Sequence, residues 1–264
     1  MSAERKPGFN TLAIHAGAQP DPATGARATP IYQTTSYVFD DVDHAAALFN
    51  LETFGNIYTR ITNPTQAVLE ERIAALESGT AGLAVASGHA AQMLVFHTLL
   101  EPGDEFVAAR QLYGGSINQF THSFKKCDWT VRWADTTDAG SFRAAVTPKT
   151  KAIFVESIAN PGGIITDIAA IAAIAKEAGV PLIVDNTLAT PYLVRPIEHG
   201  LGRVHDARID VAEGLEVEQR RGVIDVLEHI GRRLVDRRGA GTGGGVRMGA
   251  GMDRQGVEAG RAFG

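Results

Sequence analysis

The sequence has few of the features that mark secreted, membrane or nucleic-acid-binding proteins. Its 264 residues include one cysteine, Cys127, so no disulfide can form within the chain. It has no apolar run of about 18 to 20 residues, and its net charge of −5 offers no basic surface for nucleic acid. The start, MSAERKPGFN, lacks the apolar segment of a signal peptide. We therefore expect a cytoplasmic protein with no membrane or nucleic-acid partner.

The composition changes near residue 200. Residues 1–200 contain 17 of the 18 aromatic residues and all six lysines, whereas 201–264 contain 11 of the arginines and 14 of the 29 glycines. So little rigid apolar surface predicts poor order in this tail, except for one amphipathic helix from Val223 to Val235. A frameshift, a misassembly and altered splicing are open hypotheses for the origin of the tail.

The first 60 residues are predicted to form an N-terminal arm. They are rich in Pro, Gly and Thr, and one short helix is expected from Val42 to Phe49, with Asp40 and Asp41 as capping candidates. A longer helix is predicted from Pro64 to about Gly79.

After this helix, β-rich and helical stretches alternate up to residue 185. Strands are expected at 81–86, 104–109, 128–133, 151–156 and 180–184, and helices near 89–100, 115–125, 138–146 and 167–178. This alternation predicts an α/β domain over residues 61–200, in which a mostly parallel sheet is covered on both faces. Ligands of such sheets bind at the carboxyl ends of the strands.

The loops after the predicted strands carry the candidate site residues. Ser87 and Gly88 precede a helix whose free N–H groups suit a phosphate, although a Ser cap with a closely packed Gly explains them equally. Tyr113 lies beside two glycines, where its ring covers a flat ligand or is simply half buried.

Two further loops offer polar groups. The loop after 151–156 contains Glu156 and Asn160, and Asp185 ends a buried apolar strand. A carboxylate there requires a cation or strong donors, which a protonated pyridine nitrogen would provide. A helix cap or a metal ligand is the alternative for Asp185, but no cluster with metal-ligand spacing accompanies it, so no metal site is predicted.

Five motifs in order resemble the Cys/Met metabolism PLP-dependent family, where PLP is pyridoxal 5′-phosphate. They are YTRITNPT at 58–65, ASGHAAQ at 86–92, LYGGS at 112–116, ESIANPGG at 156–163 and VDNTLATPYLVRPIEHG at 184–200. The resemblance covers about residues 8–200 and implies the fold type I of PLP-dependent transferases, a three-layer α/β structure that is truncated in this chain. Within the family, the motifs are most similar to O-acetylhomoserine sulfhydrylases, with cystathionine γ-synthases and methionine γ-lyases as close relatives.

The resemblance implies a role for each motif residue. Ser87, Gly88 and His89 would hold the PLP phosphate. Tyr113 would stack on the pyridine ring, and Asp185 would pair with the ring nitrogen. These last two residues are the catalytic candidates.

Other residues are assigned by resemblance alone. Asn160 would lie near the ring hydroxyl, and Thr187 would also contact the cofactor. Tyr58 and Arg60 would reach the phosphate of a neighbouring subunit in a homo-oligomer with shared sites, although they could equally be surface residues. An arginine fork suits that contact.

The sequence departs from the family after Gly200. A Ser-x-Thr-Lys loop is expected there, and its lysine forms the Schiff base with PLP. Counting from Gly200 places the serine and threonine near Ala207 and Ile209 and the lysine near Asp210, and all three are missing. We also expect the family's C-terminal domain, with its arginine for the substrate carboxylate, to be absent.

The implied ancestral reaction is γ-replacement on O-acetylhomoserine by sulfide or a thiol, with a small amino acid as substrate. Loss of the lysine removes covalent attachment and the general base together, so we expect this chain to be inactive. A non-catalytic remnant that binds PLP or pairs with an intact homologue is the alternative. A nucleotide-binding Rossmann domain is disfavoured because no G-x-G-x-x-G follows the first strand.

Overall fold

The computed structural model describes residues 6–50, 52–199, 209–212 and 215–218. The chain divides into two compact units, residues 1–225 and 226–264, and every described residue belongs to the first. The helix predicted from Val223 to Val235 lies outside the described residues.

A seven-stranded sheet forms the centre of the first unit. Its strands are β1 (Ala81–Ala84), β2 (Glu105–Ala109), β3 (Thr130–Ala134), β4 (Thr150–Glu156), β5 (Leu182–Asp185), β6 (Ile209–Ala212) and β7 (Leu215–Glu218). Their spatial order is β1-β7-β6-β5-β4-β2-β3. Among these strands, β7 alone runs in the opposite direction, antiparallel to its neighbours β1 and β6. The predicted mostly parallel sheet is therefore confirmed.

The helices alternate with the strands along the chain. They are α1 (Phe9–His15), α2 (Val42–Phe49), α3 (Pro64–Leu76), α4 (Gly88–Leu99), α5 (Gly114–Asn118), α6 (Ala139–Ala145), α7 (Ile168–Ala178) and α8 (Thr190–Leu193). A π-helical turn at Gln119–Ser123 and a 3-10 turn at Phe124–Cys127 continue α5, and a further 3-10 turn spans Pro196–Glu198. The strands and helices predicted between residues 64 and 185 are confirmed, with shifts of a few residues at their ends.

Short polar side chains begin several of these helices. The Asp41 carboxylate accepts the His44 N–H at 2.7 Å, as predicted for α2, and the Ser87 hydroxyl accepts the Ala90 N–H at 3.1 Å at the start of α4. Asn63 caps α3, directly before Pro64. Such residues satisfy N–H groups that have no acceptor inside the helix.

The core lies around β2 and β4. Phe96 of α4 packs on Phe106 of β2 with ring centroids 4.4 Å apart, and Phe154 of β4 lies 6.0 Å from Phe96. Phe120 and Phe124, which follow α5, complete the cluster, and all five rings are buried. These aromatic contacts fix the position of β2 relative to β4.

Two regions differ from the sequence expectations. The arm contains a second helix, α1, which packs on α3, and Arg72 Nε donates to the Ala16 carbonyl at 3.0 Å. In the tail, where we expected poor order, residues 209–212 and 215–218 form β6 and β7 and extend the sheet. Apart from these strands, residues 200–264 lie outside the described part of the chain.

Candidate functional site

A pocket of about 290 Å³ opens at the carboxyl edge of the sheet. Seven of the nine predicted site residues line it, and they come from four separate loops: Ser87, Gly88, His89, Tyr113, Asn160, Asp185 and Thr187. They meet because β1, β2, β4 and β5 run in the same direction and end at the same edge.

The start of α4 forms one wall of the pocket. Gly88 is the first residue of this 12-residue helix, and the Ser87 side chain is engaged as its cap. The helix-cap interpretation of Ser87 is therefore confirmed, and phosphate binding by this helix start stays a prediction, because a capped helix start still has free backbone N–H groups.

The Tyr113 ring forms a second wall. It is half exposed and stacks against the His89 imidazole, with centroids 6.1 Å apart and planes 29° apart. Gly115 makes this stacking possible, since a Cβ atom there would lie 2.4 Å from Tyr113 Cε1 and 2.7 Å from His89 Cε1.

Asp185 ends β5 at the floor of the pocket. Its Oδ1 accepts the Thr187 hydroxyl at 2.6 Å and the Thr187 N–H at 3.1 Å. These two hydrogen bonds fix the orientation of the Asp185 carboxyl group beside the pocket, which Thr187 also lines.

Glu156 ends β4 beside Asp185, its register partner in β5. Oε1 accepts the Tyr113 N–H at 2.7 Å, and Oε2 accepts the Asn160 N–H at 3.0 Å. Burial raises the pKa of the Glu156 carboxyl to about 7; the two N–H donors oppose this rise and the Asp185 charge adds to it. The sequence placed Glu156 in a promising loop but did not identify it as a site residue.

Gln92 and Ser116 also line the pocket and were not predicted. Both are buried, and Gln92 Nε2 donates to Ser116 Oγ at 2.9 Å. Gln92 follows Gly88 by one helical turn, so the period of α4 indicated that it faces the same way.

Tyr58 and Arg60 are absent from the pocket lining, and the Arg60 guanidinium lies over the Tyr58 ring, 4.8 Å from its centroid. Their expected contact with the phosphate of a neighbouring subunit stays a prediction, because a single chain does not test it. Ile209 and Asp210 belong to strand β6, with Asp210 opposite Val184, rather than to a loop as counted from the family. Ala207 lies outside the described residues.

All six lysines belong to the described residues, and all six are exposed. None of them lines the pocket, and no arginine does so among the described residues. The pocket therefore receives no primary amine from a described side chain.

The described residues offer neither a metal site nor a membrane-spanning helix. Within residues 6–50, 52–199 and the two final strands, no three His, Cys, Asp or Glu side chains are placed to hold a metal ion. No helix in the same part of the chain is both long and apolar enough to cross a membrane.

Comparisons with known proteins agree on one family. The chain matches the family model of Cys/Met metabolism PLP-dependent enzymes over residues 10–208. It is 53% identical over 190 residues to an O-acetyl-L-homoserine sulfhydrylase of Leptospira meyeri, and these residues make up 72% of this chain and 43% of the relative. It is 44% identical over 198 residues to an L-methionine γ-lyase of Pseudomonas putida, covering 75% of this chain and 50% of the relative.

A solved structure has the same fold. A Campylobacter jejuni protein assigned as an O-acetylhomoserine (thiol)-lyase superposes with a TM-score of 0.77 at 36% identity, covering 84% of this chain and 56% of that one. Its structure contains an N′-pyridoxyl-lysine-5′-monophosphate residue. The chain thus spans about half the length of these relatives.

Proposed function

The chain belongs to the Cys/Met metabolism PLP-dependent enzyme family, and we propose that the pocket at the carboxyl edge of its sheet binds PLP without a covalent bond. The observation that carries this proposal is the meeting of Gly88, Tyr113 and Asp185 around one pocket. They offer, in turn, anion-binding N–H groups, a flat aromatic surface and a carboxylate.

Each wall of the pocket suits one part of the cofactor. The first-turn N–H groups of α4 suit the phosphate, and the Tyr113 ring suits one face of the pyridine. Asp185, held by two bonds from Thr187, suits a protonated ring nitrogen. The Asn160 amide would face the ring hydroxyl, and Tyr58 and Arg60 would serve the phosphate of a neighbouring subunit, as the family resemblance implies.

Bound PLP supplies an acceptor for the electrons of a substrate carbanion. The chain's own residues would prepare that chemistry: Asp185 keeps a proton on the ring nitrogen, and Tyr113 excludes water from one face of the ring. His89 would hold the Tyr113 ring in place through their stacking.

The parent reaction that we propose is γ-replacement on O-acetylhomoserine by sulfide or a thiol. The relatives with sulfhydrylase names support this choice over cystathionine γ-synthesis. Methionine γ-elimination is the second candidate, because a methionine γ-lyase is also among the relatives.

We further propose that this chain does not catalyse the reaction by itself. A primary amine is needed to attach PLP and to move protons at the substrate carbons. The six lysines are exposed and outside the pocket lining, and residues 177–264 contain no lysine at all. A role as a PLP-binding partner of an intact homologue is the alternative.

The test combines binding, adduct mapping and turnover. We expect PLP to bind with a change in its absorbance, borohydride to leave no pyridoxyl adduct on a specific lysine, and O-acetylhomoserine with sulfide to give no homocysteine. A specific adduct on one lysine, with turnover that disappears when that lysine is replaced, contradicts the inactivity. Failure of the chain to bind PLP contradicts the proposed site.

Two adjacent glycines provide a matched pair of variants for the binding measurement. Gly115→Ala places a methyl group against Tyr113 and His89, whereas a Cβ at Gly114 meets nothing within 4 Å. We expect Gly115→Ala to weaken PLP binding by about tenfold and Gly114→Ala to change it less. Equal effects of the two variants would remove Tyr113 from the proposed site.

A further inference from the structure

We propose that Glu156 is a positioning residue that joins the Tyr113 loop to the Asn160 loop and so holds two walls of the pocket in register. This inference rests on the proposed function, because it concerns the site assigned to PLP. It names a role for a buried carboxylate that does not itself act on the ring.

Glu156 and its two hydrogen bonds, to the Tyr113 and Asn160 N–H groups, are called the clamp below. The two carboxylate oxygens of Glu156 each accept one backbone N–H, from Tyr113 at 2.7 Å and from Asn160 at 3.0 Å. These donors lie 43 residues before and 4 residues after Glu156 in the chain. One side chain thereby connects the loops that follow β2 and β4.

The clamp is anchored at a rigid point. Glu156 is 5% exposed, and its own carbonyl accepts the Thr166 hydroxyl at 2.5 Å. The preceding β4 residues Ile153, Phe154 and Val155 are fully buried. A displacement of Tyr113 or Asn160 must therefore lengthen its hydrogen bond to the Glu156 carboxylate, because the buried strand holds Glu156 in place.

A carboxylate suits this task better than an amide. Both of its oxygens are acceptors, whereas glutamine offers one acceptor and one NH₂ donor, which would face an N–H. Glu156→Gln keeps the size of the side chain but leaves either Tyr113 or Asn160 without its acceptor.

The clamp is also expected to respond to pH, since the pKa of Glu156 is raised to about 7. A protonated carboxyl group is a weaker acceptor than a carboxylate. The titratable groups around Glu156 are Asp185 at the end of β5, Tyr113 itself, and His89 against the Tyr113 ring. Because histidine is the side chain whose charge changes most readily around neutral pH, a His89 variant serves as a control.

The first measurement needs no cofactor. In ¹H–¹⁵N NMR spectra of the full chain, we expect the Tyr113 and Asn160 amide signals to titrate with one shared midpoint near neutral pH. The shared midpoint should persist in His89→Gln and Glu52→Gln and disappear in Glu156→Gln. Glu52 is an exposed control residue. Independent midpoints, or a shared one that survives in Glu156→Gln, overturn the clamp.

The second measurement asks whether the clamp serves the proposed site. The probe is 4′-deoxypyridoxine 5′-phosphate, which has the ring and the phosphate but no aldehyde. We expect Glu156→Gln to bind it about tenfold more weakly than the wild-type chain and Glu52→Gln to bind it equally well. Unchanged affinity in Glu156→Gln overturns the positioning role. Wild-type chain that shows the shared titration but does not bind the probe overturns the proposed function and leaves the connection between the loops standing.

Discussion

The core around β2 and β4 and the N-terminal arm of residues 6–60 both contain apolar side chains, but they place them differently. In the core, Phe96 and Phe106 have no exposed surface, whereas in the arm Val38 is 95% and Phe54 is 92% exposed. Polar bonds contribute more visibly to the order of the arm: Tyr32 donates its hydroxyl to Asp21, and Asn63 Nδ2 donates to the Tyr32 carbonyl. The two regions are therefore stabilised by different interactions, and apolar content alone does not identify a core.

The largest expected effect is a core truncation. Phe106→Ala removes a fully buried ring and should lower the free energy of unfolding by about 3 to 5 kcal/mol. The matched arm variant, Phe54→Ala, should change it by less than about 1 kcal/mol. Urea unfolding followed by circular dichroism measures both. Similar losses in the two variants would contradict the difference in burial between the two regions.

A smaller effect is expected from the charge at the edge of the core. The pKa of Glu156 is raised from 4.5 to about 7, so the folded chain binds a proton that the unfolded chain does not between these values. The corresponding stability is present below about pH 4.5 and is lost as the pH rises through about 7. When the pH is raised from about 5 to about 8, the free energy of unfolding of Glu156→Gln should therefore increase by about 1 to 3 kcal/mol relative to that of the wild-type chain.

Urea unfolding at the two pH values checks this, with Glu52→Gln as the control for loss of an exposed carboxylate. A constant difference between Glu156→Gln and wild type would mean that Glu156 keeps its ordinary pKa in the folded chain.

The smallest effect is expected in the arm. Asn63 caps α3 and bonds the Tyr32 carbonyl at 2.9 Å, so Asn63→Ala should cost about 1 kcal/mol. Hydrogen exchange should become faster around Tyr32 and around Thr59, whose hydroxyl oxygen accepts from Asn63 Nδ2 at 3.1 Å, with little change at β2 and β4. Asn50→Ala, at an exposed helix end, serves as the control. Faster exchange throughout the sheet would show that the arm and the core unfold together.

Much of the secondary structure could be predicted because the sequence patterns that determine it are local. Helix α2 begins after Asp41 and α3 begins at Pro64, as caps and a proline at the first helical turn indicate. Strands β6 and β7 were missed because the glycine and arginine content around them outweighed the short runs IDVA and LEVE. Helix α1 was missed because its support comes from α3, about 50 residues later in the chain.

By itself, the sequence determined the alternation of strands and helices and the polar residues that follow the strands, because caps, prolines and apolar runs act over a few residues. It also determined that no lysine follows Lys176. Only the tertiary structure decided that one carboxylate, Glu156, connects Tyr113 to Asn160, and that Gly115 leaves room for the stacking of His89 on Tyr113. Both depend on groups distant in the chain that meet only when parallel strands end at one edge, and burial at that edge is what raises the pKa of Glu156.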